Sequence, residues 1–95
     1  GLETAVLVAE NRAYDEEVGI IIFAATYAYH LIQLHAFIDG NKRIGAIVAE
    51  VFLEANGAYL VPDNQTIQEI YLKVASSQMK REDLVKFFLE NVEFY

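Results

Sequence analysis

Ninety-five residues, 55% of them apolar, suffice for one hydrophobic core and not for two, so residues 1–95 are expected to form a single domain. A net charge of −7, from 14 acidic and 7 basic residues, speaks against the broad basic face that nucleic acid requires. No cysteine is present, which excludes disulfides and thiolate metal sites, and no apolar run is expected to approach the roughly 20 residues of a bilayer span.

From the amino terminus, residues 2–8 are a short apolar segment of helix formers, and residues 10–17 (ENRAYDEE) are polar and turn-like. Residues 18–34 are apolar nearly all round, with Ile20, Ile21, Ile22, Phe23, Ala24, Ala25, Tyr27, Ala28, Leu31, Ile32 and Leu34. That pattern predicts a central, buried helix. Residues 20–23 alone could be a strand, but the continuation to 34 is too long for one.

Residues 44–56 repeat apolar side chains at Ile44, Ile47, Val48, Val51, Phe52 and Ala55, with Glu50 and Glu54 marking a solvated side and Asn56-Gly57 a helix stop. Pro62-Asp63-Asn64 reads as a turn, and Asp63 or Asn64 can cap a helix to about residue 76 whose apolar side is Ile67, Ile70, Tyr71 and Val74. Residues 76–80 connect to a last amphipathic helix, 81–92, with Leu84, Val85, Phe87, Phe88 and Leu89 facing inward. The expected fold class is all-α, a compact helical bundle with a loop between its two central helices.

That loop holds the chemistry. Residues 35–45 read His-Ala-Phe-Ile-Asp-Gly-Asn-Lys-Arg-Ile-Gly. A glycine-containing turn at a helix start offers unpaired N–H groups, the helix dipole adds partial positive charge, and Lys42 and Arg43 add full charges, which together suit phosphates. Asp39 could hold a divalent cation against them, and His35 could take a proton from an attacking hydroxyl. Each residue also has an ordinary reading. A helix-end histidine is usually satisfied by a backbone carbonyl, and Asp39-Gly40-Asn41 could be a plain turn. A bare turn leaves His35, Lys42 and Arg43 unaccounted for. His30, among Tyr27, Tyr29 and Leu31, reads as structural.

The stretch His35-Ala36-Phe37-Ile38-Asp39-Gly40-Asn41-Lys42-Arg43 resembles the signature of the Fic/Doc family, and its Asp-Gly-Asn-Lys-Arg portion is closer to the Doc (death-on-curing) branch. Residues 51–57 (VFLEANG) are similar to the helix end that follows the signature in Doc proteins, and residues 1–5 (GLETA) to the helix before it. Doc proteins usually carry a further amino-terminal segment, so the resemblance implies a chain truncated at its start. It also implies the fold and the activity. Family members transfer part of a nucleotide triphosphate to a hydroxyl on a target protein. Fic enzymes mostly transfer AMP. Doc, a toxin paired with an antitoxin, transfers the terminal phosphate to translation elongation factor Tu.

Carried over residue by residue, the resemblance makes His35 the general base, Phe37 the anchor of the loop and Asp39 the Mg²⁺ ligand. Gly40 and Asn41 shape the anion hole, and Lys42 and Arg43 hold phosphate oxygens of ATP. Fic enzymes place Gly where this chain has Lys42, and usually a second Arg where it has Ala46. Both departures point to Doc chemistry. The absence of Pro at Ala36 and the presence of Gly45 in the following helix touch no functional group. Fic proteins are often held off by an inhibitory helix with a Ser/Thr-x-x-x-Glu-Gly/Asn pattern, which these 95 residues lack. Inhibition is then expected in trans from an antitoxin, or from a preceding segment.

Three readings follow from different classes. One is a cytoplasmic, ATP- and Mg²⁺-dependent protein kinase of the toxin type, acting on a protein such as a translation factor and not on nucleic acid or a membrane. The second is an AMP-transferase on the same fold. The third is a silent module that binds nucleotide or a partner.

Overall fold

A computed structural model describes residues 12–34 and 42–95. Four helices dominate them: α1 (Arg12–Leu34), α2 (Lys42–Ala55), α3 (Asn64–Ala75) and α4 (Arg81–Asn91). Two three-residue strands, β1 (Ala58–Leu60) and β2 (Val92–Phe94), pair antiparallel with Tyr59 opposite Glu93. The expected all-α class holds, and the small strand pair is an addition to it. Ala58, Tyr59 and Leu60 lie between Gly57 and Pro62, a stretch too short for a period-2 signal to register.

The helix over 18–34 begins earlier than its apolar run suggests, at Arg12. The polar stretch before Val18 contains no glycine or proline, and Asp15, Glu16 and Glu17 near the amino-terminal end favour the helix dipole. Within α1, residues Glu16–Leu34 form a 19-residue stretch of mean hydropathy 1.3, long and apolar enough to span a bilayer by length and composition. This corrects the expectation that no segment reaches that length. The apolarity has a local use, because Ile21, Ala24, Ala25, Ala28 and Ile32 are buried against the other helices. A second correction concerns the helix's other side. Ile22, Phe23, Tyr27 and Leu34 are exposed, so α1 is central without being buried all round.

The core continues through Ala49 and Leu53 of α2, Ile67, Tyr71 and Val74 of α3, Leu84 and Phe88 of α4, and Ala58 and Val92 of the strands. Four alanines, Ala24, Ala25 and Ala28 of α1 and Ala49 of α2, are buried in this core. Asn56-Gly57 does end α2, with Gly57 in the left-handed region at φ 76°. Asp63 caps α3, its carboxylate accepting from the Thr66 N–H at 2.8 Å. The helix stops at Ser76, followed by Ser77 at φ 61° and a bond from the Gln78 N–H to the Lys73 carbonyl at 2.8 Å. At the start of α4 the Lys80 N–H donates to Asp83 at 3.2 Å. On α4 the expected inward set shrinks. Leu84 and Phe88 are buried, Val85 and Phe87 are half-buried, and Leu89 is exposed because it falls on the outer side of the turn.

Candidate functional site

α1 ends at Leu34 and α2 begins at Lys42, so residues 35–41 connect two helices that pack on one another. His35, Phe37, Asp39, Gly40 and Asn41 lie in that connection and outside the described residues. Their frame is described. On the α1 side, Ile32 is fully buried, and the Gln33 side-chain amide donates to the Val74 carbonyl at the carboxyl-terminal end of α3. On the α2 side, Ala49 and Leu53 hold the helix in the core. The α1 end of the connection is thus held by packing and by the Gln33 hydrogen bond.

Lys42 and Arg43 open the first turn of α2, which begins two residues before the expected start at Ile44. Their backbone is helical, and their side chains lie outside the described set. That turn contains no acidic residue. Two cations at a helix amino terminus oppose the helix dipole, which favours negative charge there by about 0.3–1 kcal/mol per charge. An anion at this end would relieve both terms, accepting from the free N–H groups and pairing with the cations. The acids of α2, Glu50 and Glu54, lie two to three turns further on, about 12 Å or more along the axis from Lys42. Positive and negative charge on this helix are segregated. Partial burial raises the Glu50 pKa.

The remaining candidates do not assemble a second centre. His30 is exposed, with its ring edge-on to Tyr29 at 5.6 Å, which agrees with a structural reading. Among the described residues no group of three His, Cys, Asp or Glu side chains could hold a metal ion. One depression, about 160 Å³, is lined by Glu50, Leu53, Glu54, Tyr59, Leu60 and Ile67. Another is lined by Glu17, Val18, Ile21, Leu89, Val92, Glu93 and Phe94. Neither lining includes a cation or a histidine, so neither suits a phosphate.

One polar group escaped the sequence reading. The Tyr71 hydroxyl is buried without a hydrogen-bond partner, and burial, then the Glu50 charge, push its pKa up. No signal could have revealed it, because a tyrosine in the apolar series of α3 looks like any other core residue.

No curated protein and no solved structure matches the chain. The family model described as the Fic/DOC family matches residues 3–53, which take in all of α1, the connection and most of α2, and the chain therefore belongs to the Fic/DOC family.

Proposed function

We propose that this chain is a Doc-type phosphotransferase, which moves the γ-phosphate of ATP to a hydroxyl of a target protein. Fic/DOC members are typically transferases. The observation that carries the reading is the first turn of α2, where Lys42 and Arg43 stand together and that turn itself holds no acidic residue. Lys42 occupies the position that AMP-transferring relatives leave as Gly, and Ala46 replaces their usual second Arg, which favours the Doc branch over AMP transfer.

In this mechanism the phosphates of ATP lie at the amino terminus of α2, held by Lys42, Arg43 and the N–H groups of Gly40 and Asn41. The connection's aspartate, Asp39, would hold Mg²⁺, whose charge offsets that of the phosphate oxygens. The resemblance makes Phe37 the anchor of the connection, a role that would keep His35 in place. The target hydroxyl gives its proton to His35 as its oxygen bonds to the γ-phosphorus. The bond from that phosphorus to the bridging oxygen breaks, and ADP leaves. Phosphoryl transfer asks mainly for alignment and charge neutralisation, which suits a site made from one short loop and one helix end.

The same reading places the protein in the cytoplasm, with a translation factor such as elongation factor Tu as target and an antitoxin as inhibitor in trans. The test incubates the protein with ATP labelled at either the γ or the α position, with cell extract supplying the target. Label from the γ position alone is expected, and His35→Ala should reduce it by roughly 10²–10⁴-fold. Label from the α position would replace this reading with AMP transfer. Transfer from neither position would leave a binding module.

A further inference from the structure

Toward its carboxyl-terminal end, α2 shares a cavity of about 160 Å³ with α3 and β1. Leu53, Leu60 and Ile67 supply apolar walls, Tyr59 an aromatic ring, and Glu50 and Glu54 two carboxylates. One water needs only about 10–15 Å³ of such space, so the cavity has room for a side chain and not merely an ion. Glu50 and Glu54 stand one helical turn apart, where like charges repel. Among the described residues the one ion pair joins Arg81 to Glu82, so no described cation offsets them. Glu54 receives only a long bond, 3.4 Å, from the Tyr95 hydroxyl. Partial burial raises the Glu50 pKa, because its carboxylate has lost water without gaining a cation.

A second observation points into the same cavity. Tyr71 is 3% exposed, and its hydroxyl has no hydrogen-bond partner among the described residues. It follows Ile67 by one turn on the buried side of α3. Long helical side chains lean toward the helix amino terminus, which carries the Tyr71 ring toward the level of Ile67, where the cavity lies. The Glu50 charge acts on this hydroxyl, which puts it on the cavity's acidic side. We propose that the cavity receives an arginine side chain of a partner protein, its guanidinium paired with Glu50 and Glu54, stacked on Tyr59 and donating to the Tyr71 hydroxyl.

The chemistry of the walls selects arginine. A planar guanidinium forks across two carboxylates and stacks on an aromatic ring, while its methylene stem suits Leu53, Leu60 and Ile67. A lysine ammonium is a point charge with no plane to stack. The surroundings select a protein over a free cation. Val51 and Ala55 share a shallower depression with the same two glutamates, and Val61, next to Leu60, is 52% exposed. Residues flanking the arginine would cover these groups and keep water from the ion pairs, as around other arginine anchors of interfaces. A second copy of the chain is the poorer source, because Arg81 already meets Glu82 and each copy brings a net charge of −7.

The test follows amide resonances of the isotope-labelled 95-residue chain during titration with three probes. These are acetyl-Leu-Arg-Leu-amide, the same peptide with neutral citrulline in place of arginine, and acetyl-arginine-amide. Saturable shifts are expected at Leu53, Tyr59, Leu60 and Ile67, with the arginine peptide bound about tenfold more tightly than the citrulline peptide. Glu50→Gln combined with Glu54→Gln keeps the side-chain shapes and should erase that preference. Tyr71→Phe should weaken the arginine peptide severalfold without lowering the melting temperature. No shifts at these amides, equal binding of the two peptides, a preference that survives the glutamine variant, or full affinity in Tyr71→Phe would each overturn the proposal. Acetyl-arginine-amide bound as tightly as the arginine peptide would overturn it in favour of a free small cation. The same shifts on concentrating the protein alone would overturn it in favour of a second copy. None of these readouts depends on phosphate transfer, so the function and this site can fail separately.

Discussion

In α3 the apolar series Ile67, Ile70, Tyr71 and Val74 turns toward the core, with three of the four buried and Ile70 half-buried. In α2 the corresponding series divides: Ile47, Val51 and Ala55 are exposed, Val48 and Phe52 are half-buried with Phe52 packed against the core, and the fully buried positions are Ala49 and Leu53 instead. The two helices carry the same kind of periodic signal and orient it differently. A helical period establishes that one face is apolar. It does not say which surface that face meets. α3 has one neighbour layer to satisfy, whereas α2 must meet α1 closely through small residues and still presents a second apolar face.

Matched isoleucines on the two helices give the strongest way to break this contrast. Ile67→Ala should cost about 2–5 kcal/mol, because a buried side chain leaves a cavity. Ile47 is the same residue on an exposed position, and Ile47→Ala should cost less than about 0.5 kcal/mol. Chemical denaturation of both variants gives the order, and equal costs for the two would abolish the distinction between the helices.

The contrast also explains what was legible in the sequence. Helix ends were readable wherever local chemistry decides them, as at Asn56-Gly57 and at Asp63, since a cap depends on a few adjacent residues. The start of α1 was not, because Asp15, Glu16 and Glu17 look like a solvated turn by polarity and yet suit the first turns of a helix. The pairing of Ala58 with Phe94 was illegible for another reason. It joins residues far apart in the chain, and neither strand is long enough to show alternation. Family membership was the most legible feature of all, because the order of residues 35–43 resembles the Fic/Doc signature and the family model spans residues 3–53. Where α2 points its remaining side chains was the least legible, since that depends on its neighbours.

Tyr71 tests whether α3 is as fully matched to the core as its stripe suggests. The ring is buried, but the hydroxyl has no partner. Burying an unpaired polar group costs about 1–3 kcal/mol, and replacing it with an apolar group of the same shape removes that cost. Tyr71→Phe is therefore expected to raise stability by about 1 kcal/mol in denaturant unfolding. A loss of stability would mean that the hydroxyl is paired in solution, with Glu50 as the group whose charge it already senses.

The smallest effect should come from the start of α3, where the helix depends on Asp63 and not on packing. Its carboxylate accepts from the Thr66 N–H, and this bond lowers its pKa from the ordinary value. The folded state thus binds the Asp63 proton less readily than the unfolded chain does. The resulting stabilisation is present above the unfolded pKa of about 3.9, and it is lost as the pH falls through the lower folded value. Asp63→Ala should therefore lower the melting temperature slightly at neutral pH and leave it unchanged well below pH 3.9, where the wild-type carboxylate is also protonated. Melting curves of the two proteins at several pH values would show the gap closing with acid. A gap of constant size would mean that the cap acts through its shape alone, and the electrostatic account of how α3 begins would be withdrawn.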